Sequence, residues 1–410
     1  MRTKKIIIVV IIIGLVLVLL FNASLMPLRR DIADTEIVMV AGLDKVENGY
    51  MITLLKRNGS GSSESSSDSK EQSSSETKVI YMVADSYSMA LRQLQTTTDK
   101  FLTASHIKYF IIGEETLKKD IDHITDAVAR GYQTRLNSKV YVAKGMSAKA
   151  FLEQASKLEF KIAEKISNME TNYWLSSTNV DTTIIGFGQV AYLENGEGLI
   201  DTLEFYNSSM EEEENLNAQE SNSNEKINSF TFGGAAIVSK GSLVDYLNKD
   251  QTIYANYILK SNNVNAIKIF DQKYFVMFRV EKLNTGIRFK FDNKGIIQEV
   301  IISANFQADY EETNAELPIF TQDKIEYFEN KLNEKIVEQL YEIINIELEK
   351  GIDFLKLKEK LEFSHPFKYE KNKAEFIENL KKAKITIKSS GKIKTTYDII
   401  DSNEDQKGEG

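Results

Sequence analysis

The chain holds three histidines, His106, His123 and His365, no two of them close in sequence, and it holds no cysteine. Histidine pairs at metal-binding spacing, HxxxH or HExxH, are therefore missing, and a zinc or iron ion would have to be held by scattered carboxylates. Without a thiol there are no disulfides, thiolate ligands, cysteine nucleophiles or cysteine lipidation. Ser105 precedes His106 in the manner of a nucleophile and its base, but neighbours along a strand point to opposite faces, so the pair predicts a structural histidine at a strand start. Two glycine clusters, Gly186 to Gly188 and Gly233 to Ala236, are the candidates for cradling a phosphate. Neither has the GxxxxGK[ST] or GxGxxG form, and both read as tight packing or a bulge within a strand. The run Glu211 to Glu214 lacks the twelve-residue alternation of a calcium loop and reads as a solvated charge run. Trp174, the single tryptophan, is expected either in the core at a helix end or as an anchor for a ligand or partner. Among 60 acidic residues no motif singles out a pair for glycoside hydrolysis. The motifs assign no catalytic, cofactor-binding or metal-ligating residue and call for no cofactor.

Composition bounds the setting. With 410 residues, 42% hydrophobic and 27% charged, the chain has enough apolar side chain for several cores. A net charge of −9 argues against a nucleic-acid or anionic-lipid binding surface as the main business of the chain. Arg2, Lys4 and Lys5 precede 23 uncharged residues, Ile6 to Leu28. At about 1.5 Å per residue that is enough helix to cross a hydrocarbon core of about 30 Å. A signal peptide is the competing reading. Its core would be unusually long, and cleavage after Ala23 would put Phe21 at a position that wants a small residue. We therefore expect an uncleaved anchor over 1–28, with the N-terminus cytoplasmic and the rest on the outer side.

Beyond it, Glu36 to Asp44 and Gly49 to Lys56 read as paired strands. Asn58 to Thr77, half of it serine with no apolar residue, buries nothing. A strand resumes at Lys78 to Val83, so the tract interrupts a domain and its ends should lie close together. A helix over Ser86 to Thr98, a strand over His106 to Gly113, a helix over Glu114 to Arg130 and a strand over Ser138 to Ala143 form a parallel crossover pattern. One long helix is expected from near Ser147. Ser208 to Ser229, with six glutamates, reads as a solvated linker or loop. Strands follow at Phe230 to Val238 and Ala266 to Leu283. A hairpin over Gly286 to Tyr310 should turn at Asp292 to Gly295. A helix over Thr321 to Lys350 carries apolar residues on one face, and the strands AKITIKSS and GKIKTTYDII close the chain.

Several of these stretches resemble the Ger(x)C family, the C subunit of the spore germinant receptor. RRDIADTEIVMVAGLDK, Arg29 to Lys45, is similar to the family's opening, whose strand ends in Gly-Ile-Asp. Ser105 to Gly145 looks like its most specific region, with an Ala-His strand, a Gly-Glu-Glu helix start and a strand ending in Ala-Lys-Gly. FGGAAIVSKGSLVDYLNKDQT, Phe232 to Thr252, and GIDFLKLKEKLEFSHPFKYEKNKAEF with KITIKSSGKIKTT match its later parts, although the family's usual Trp near Phe367 to Phe376 is missing. The resemblance implies three domains of sheet and helix, no catalytic residues, no cofactor, and partnership with the A and B receptor subunits in the inner spore membrane. Family members are normally lipoproteins, and the alignment puts Met26 where the lipidated cysteine belongs. No lipidation residue is assigned, and the anchor is expected to take its place.

The expected fold class is α+β (mixed α/β): an N-terminal transmembrane helix, then three sheet-and-helix domains. The expected divisions are an anchor over 1–28, an α/β domain over 29–207 with the serine insert 58–77, an acidic linker over 208–229, a β-rich unit over 230–283, an α+β domain over 284–401 with its helix at 321–350, and a tail over 402–410. The expected function is non-enzymatic, through contacts with the A and B subunits rather than by holding a germinant directly. A membrane-anchored protein that recognises a germinant itself is the alternative; nucleic acid is not an expected partner.

Overall fold

The computed structural model describes residues 11–14, 18, 34–57, 77–119, 121–130, 134–158, 161–172, 175, 177–192, 196–206, 229–271, 274–314 and 321–395. The expected span therefore lies outside the described residues except at 11–14 and 18, as do Met26, Trp174, Glu211 to Glu214 and the tail. Among the described residues no helix is long and apolar enough to cross a membrane.

Fourteen strands and eleven α-helices alternate along the described chain. In order they are β1 (Thr35–Ile37), β2 (Val40–Val46), β3 (Gly49–Arg57), β4 (Thr77–Ala84), α1 (Tyr87–Thr96), β5 (Phe101–Thr103), β6 (Tyr109–Gly113), α2 (Glu114–Lys119), α3 (Ile121–Ala129), β7 (Lys139–Ala143), α4 (Ala148–Lys157), α5 (Ile162–Thr171), α6 (Ile184–Tyr192), β8 (Glu197–Tyr206) and β9 (Ser229–Ser239). There follow β10 (Ser242–Leu247), α7 (Lys249–Leu259), β11 (Asn263–Asp271), β12 (Tyr274–Phe291), β13 (Ile297–Thr313), α8 (Gln322–Lys350), α9 (Leu357–Ser364), α10 (Pro366–Asn372), α11 (Phe376–Lys382) and β14 (Lys384–Thr395). They build three sheets: a parallel pair β1-β5, an eight-stranded sheet in the order β10-β9-β8-β7-β6-β2-β3-β4, and a four-stranded sheet β11-β12-β13-β14. The class is mixed α+β, as the sequence predicts.

In the large sheet β2, β6, β7 and β8 run parallel. Such strands are covered on both faces, which is why YFIIG in β6 is apolar at successive positions rather than alternate ones. Phe110 and Ile112 face α1, α2, α3 and α6. Tyr109 and Ile111 face α4 and α5. The four-stranded sheet lies under α7, α8, α9 and α11, and Leu199, Ala235, Ile237 and Leu247 of the large sheet join its core. The two sheets thus share apolar contacts.

The serine tract closes a hairpin, since β3 pairs with β4 up to Arg57 and Thr77. Segment 208–229, read from sequence as a linker or loop, connects neighbouring antiparallel strands of one sheet, with Tyr206 paired to Ser229. Strand β12 continues through residue 283, where the sequence reading divides two units, with a register shift between Glu281 and Asn284. The turn after it is as expected, with Gly295 N–H donating to Asp292 C=O at 3.0 Å.

Three local expectations differ. The long helix from Ser147 is two, α4 and α5; Leu158 N–H turns back to Ala155 C=O at 3.2 Å and ends the first, while apolar periodicity runs on across the break. The helix expected over 114–130 is described as α2 up to Lys119 and α3 from Ile121, with residue 120 outside the described residues. The strand expected from His106 starts at Tyr109, with Ala104–His106 forming a 3-10 turn. Gly186 and Gly188 lie in helix α6, begun by Thr183, whose hydroxyl accepts from Gly186 N–H at 3.3 Å. A methyl at either glycine would meet only ordinary contacts, so tight packing does not explain them.

Candidate functional site

The residues named for possible chemistry stay apart. Ser105 Oγ bonds Thr103 Oγ1 at 2.8 Å, and His106 is exposed beside it. His123 lies 5.8 Å from the ring of Tyr50, and His365 stands at a helix start with Nδ1 2.9 Å from Ser364 Oγ. Among the described residues no group of three or more histidine, aspartate and glutamate side chains is placed to hold a metal ion.

The place with a definite geometry is the carboxyl edge of the parallel strands. The helix after β6 packs on one face and the helix after β7 on the other, which opens a crevice beyond the strand ends. In open α/β sheets this is where ligands collect. The crevice has a volume of about 310 Å³ and is lined by Asp44, Lys45, Glu114, Thr116, Gly145 and Ser147, among others.

Asp44 lies in the second half of β2 and is almost fully buried. Its carboxylate accepts from Ala148 N–H at 2.8 Å and Lys149 N–H at 2.9 Å, at the N-terminus of α4. Ser147 Oγ accepts from Ala150 N–H at 3.1 Å, so this helix start has two side-chain caps. Burial raises the Asp44 pKa, and the two backbone donors oppose that rise. Gly113, at the end of β6, leaves the room: a Cβ there would collide with Asp44 Oδ1.

Glu114 follows at once. Its Oε2 accepts from Gly145 N–H at 2.6 Å and from Tyr246 O–H at 2.8 Å, and its Oε1 meets Lys118 Nζ at 2.7 Å. Burial pushes its pKa up, but the bonds from Lys118, Gly145 and Tyr246 together hold it below the ordinary value. Lys45 N–H donates to Thr116 Oγ1 at 2.8 Å, and its ammonium sits 3.8 Å above the Tyr50 ring. Farther along, Lys144 and Lys249 both reach Glu204, at 3.2 and 3.3 Å. Gly234, with φ +99°, lets β9 pass where any Cβ would strike Leu247 C=O, so the GGAA cluster does mark a close backbone approach.

Three further acidic centres also hold backbone or neighbouring strands. Glu170 of α5 accepts from Tyr109 O–H at 3.0 Å and Tyr141 O–H at 2.6 Å. Burial, then the Glu170 charge, pushes the Tyr109 phenol up to about 12. Asp201 accepts from Val180 N–H at 2.5 Å and Asp181 N–H at 2.8 Å, and burial lifts its pKa to about 6. At the end of α8, Glu347 Oε2 accepts from Leu355 N–H at 2.7 Å. Asp353 caps α9 through Leu357 N–H at 2.7 Å and Lys358 N–H at 2.9 Å, while its own N–H donates to Glu197 Oε2 at 2.6 Å. Sequence reasoning did not single out any of these carboxylates. Their signal is positional, an acidic residue at a strand end or on the inward face of a helix, and it becomes visible only when the partner 100 or so residues away is known, as with Asp44 and Ala148.

At each of these centres the acidic side chain holds the chain's own backbone, hydroxyl or ammonium groups. The chain belongs to the GerAC-like spore germination family: residues 29–204 match its spore germination protein N-terminal domain, and residues 233–397 match the domain described as spore germination B3/GerAC like, C-terminal. Its role is thus related to germination. The chain is also similar to a solved structure described as the crystal structure of the GerBC protein, at 15% identity over 86% of this chain and 96% of that one, with a TM-score of 0.49. A search of curated proteins finds no match. The strand-end signatures that carry the family resemblance, Gly42 to Asp44, Gly113 to Glu115 and Ala143 to Gly145, meet at this one edge of the sheet.

Proposed function

We propose that the chain is the non-enzymatic C subunit of a spore germinant receptor, held at the inner spore membrane by an N-terminal helix and acting through contacts of its folded units with the A and B subunits. The observation that supports this is the pair of family matches, which cover residues 29–204 and 233–397 in order. Met26 stands where relatives carry the lipidated cysteine, so the uncharged run Ile6 to Leu28 is the anchor and stays uncut. The large domains lie on the outer side. Purification of the full chain from spore membranes in mild detergent should bring A and B subunits with it; a chain recovered alone sinks the receptor reading. An intact N-terminal peptide in mass spectra of that fraction supports the anchor, whereas a mature start near Ser24 refutes it.

A second reading, direct recognition of a small germinant, has one observation in its favour, the 310 Å³ crevice at the carboxyl edge. Against it, Asp44 and Glu114 already hold backbone groups of the fold. Calorimetry of the full chain in detergent against amino acids and sugars separates the two, and a flat response favours the architectural role.

A further inference from the structure

Helices α9 and α10 meet at a corner formed by Ser364, His365 and Pro366, on the helical cover of the second sheet. Leu357 and Leu361 turn inward from α9, and Asn372 is buried from α10 with Tyr369 packed against the same core. Phe363 and Phe367 take the opposite sides. Phe363 is 93% exposed and Phe367 88%, against 72% for Phe270, the next most exposed of the described large apolar residues. Four residues reach at most about 14 Å along the backbone, so the two positions lie in one small region of the surface. A single exposed apolar residue needs no explanation, but two almost bare phenyl rings four positions apart do.

The surroundings are basic although the chain is acidic. From Lys356 to Lys373 there are six lysines and three glutamates, a net of +3 in a protein of net −9. The turn after β12, with Asp292 and Lys294, adds no net charge; Lys294 C=O accepts from Lys371 Nζ at 3.2 Å, and Lys368 Nζ lies 5.5 Å from the Phe291 ring. Lys373 is paired with Glu370 at 2.7 Å.

We propose that this corner is a lipid-contacting foot, with Phe363 and Phe367 entering the interfacial layer of an anionic bilayer and the lysines lying against its phosphates. Lysine is depleted where proteins bind one another, while aromatic rings beside lysines are the composition that holds a surface on anionic lipid. The inference rests on the reading that the chain works at a membrane but does not need the A and B subunits.

The absence of cysteine makes the test direct. Full chain carrying Phe363→Cys or Phe367→Cys, labelled with an environment-sensitive fluorophore, is reconstituted into vesicles containing a headgroup-quenching lipid. A Phe270→Cys chain is the control, and matching thermal midpoints establish folding. On phosphatidylcholine with phosphatidylglycerol, labels at the two corner positions should be quenched and the control should not. Combining Lys368→Glu with Lys371→Glu should lower the inserted-to-free ratio roughly tenfold or more. Corner labels that behave like the control overturn the proposal, as do equal quenching on phosphatidylcholine alone and failure of the chain to stay on the vesicles. Protection that arises only when A and B subunits are added makes the corner a protein contact and also overturns it.

Discussion

Gly113 and Asp44 depend on one another at the scale of single atoms. Because a Cβ at 113 would occupy the place of Asp44 Oδ1, Gly113→Ala and Asp44→Ala should each remove the same cap from α4. Each should cost about 1–3 kcal/mol of stability, as loss of a buried charged hydrogen-bond pair does. The double variant should cost much less than the sum; additive shifts in the denaturant midpoint would refute the shared mechanism. Glu347 and Asp353 make a second prediction. Burial raises both pKa values, that of Asp353 to about 7, and Asp353 also raises Glu347. An acid raised on folding holds its proton more tightly in the folded state. Its contribution is present below the unfolded value, near 4, and is lost as pH climbs through the folded one. Glu347→Gln carries no charge at any pH, so its stability relative to the parent should increase from about pH 5 to about pH 8, by roughly 1 kcal/mol or more. Denaturation at the two pH values checks this, and a constant difference would sink it. Neither site is legible in the sequence. Asp44 and Gly113 are 69 positions apart, and only the parallel pairing of β2 with β6 puts their ends together. Glu347 is nearer to legible, since Ile343 and Ile344 precede it by one helical turn on the buried face.

Elements are more readable than sites, because periodicity is local and pairing is not. Of the residues that spacing predicts on the inward face of α8, Phe328, Leu332, Ile336, Leu340, Ile343 and Ile344 are buried, while Ile325 and Leu348 near its ends are half-buried. The break between α4 and α5 escapes a reading of periodicity because Phe151, Leu152, Ala155, Ile162 and Ile166 keep facing the same core on both sides of it. AKITIKSS and GKIKTTYDII read as two strands through the glycine between them, yet β14 runs unbroken from Lys384 to Thr395 alongside β13. The serine tract is the element whose sequence reading gives the firmest prediction. With Arg57 opposite Thr77, residues 58–76 replaced by Asn-Gly should leave a two-residue hairpin. Thermal unfolding should move by no more than a few degrees, since loop length enters only logarithmically. A collapse of the midpoint would mean that the tract itself supports the fold.

At the scale of the whole molecule, the two large sheets are tied by polar contacts as well as by shared core. Asn256 Nδ2 donates to Ser177 C=O at 2.7 Å and Asn179 C=O at 2.9 Å, Lys350 pairs with Asp245, and Glu197 receives Asp353 N–H. A protease cut within 207–228 should therefore yield two fragments that elute together, because β8 and β9 remain paired and buried across the nick. Separation in native buffer would show that the pairing is too weak to hold them. The same strand directions have another consequence. Tyr206 ends β8 at the edge where β2, β6 and β7 finish, while Arg57 ends β3 at the edge where β2 begins. The two low-complexity segments are thus attached at opposite edges of one sheet, like handles on its two ends. An epitope spliced into each would give antibodies two separate grips, and the one that becomes blocked in the proposed receptor assembly would reveal which way the chain is turned.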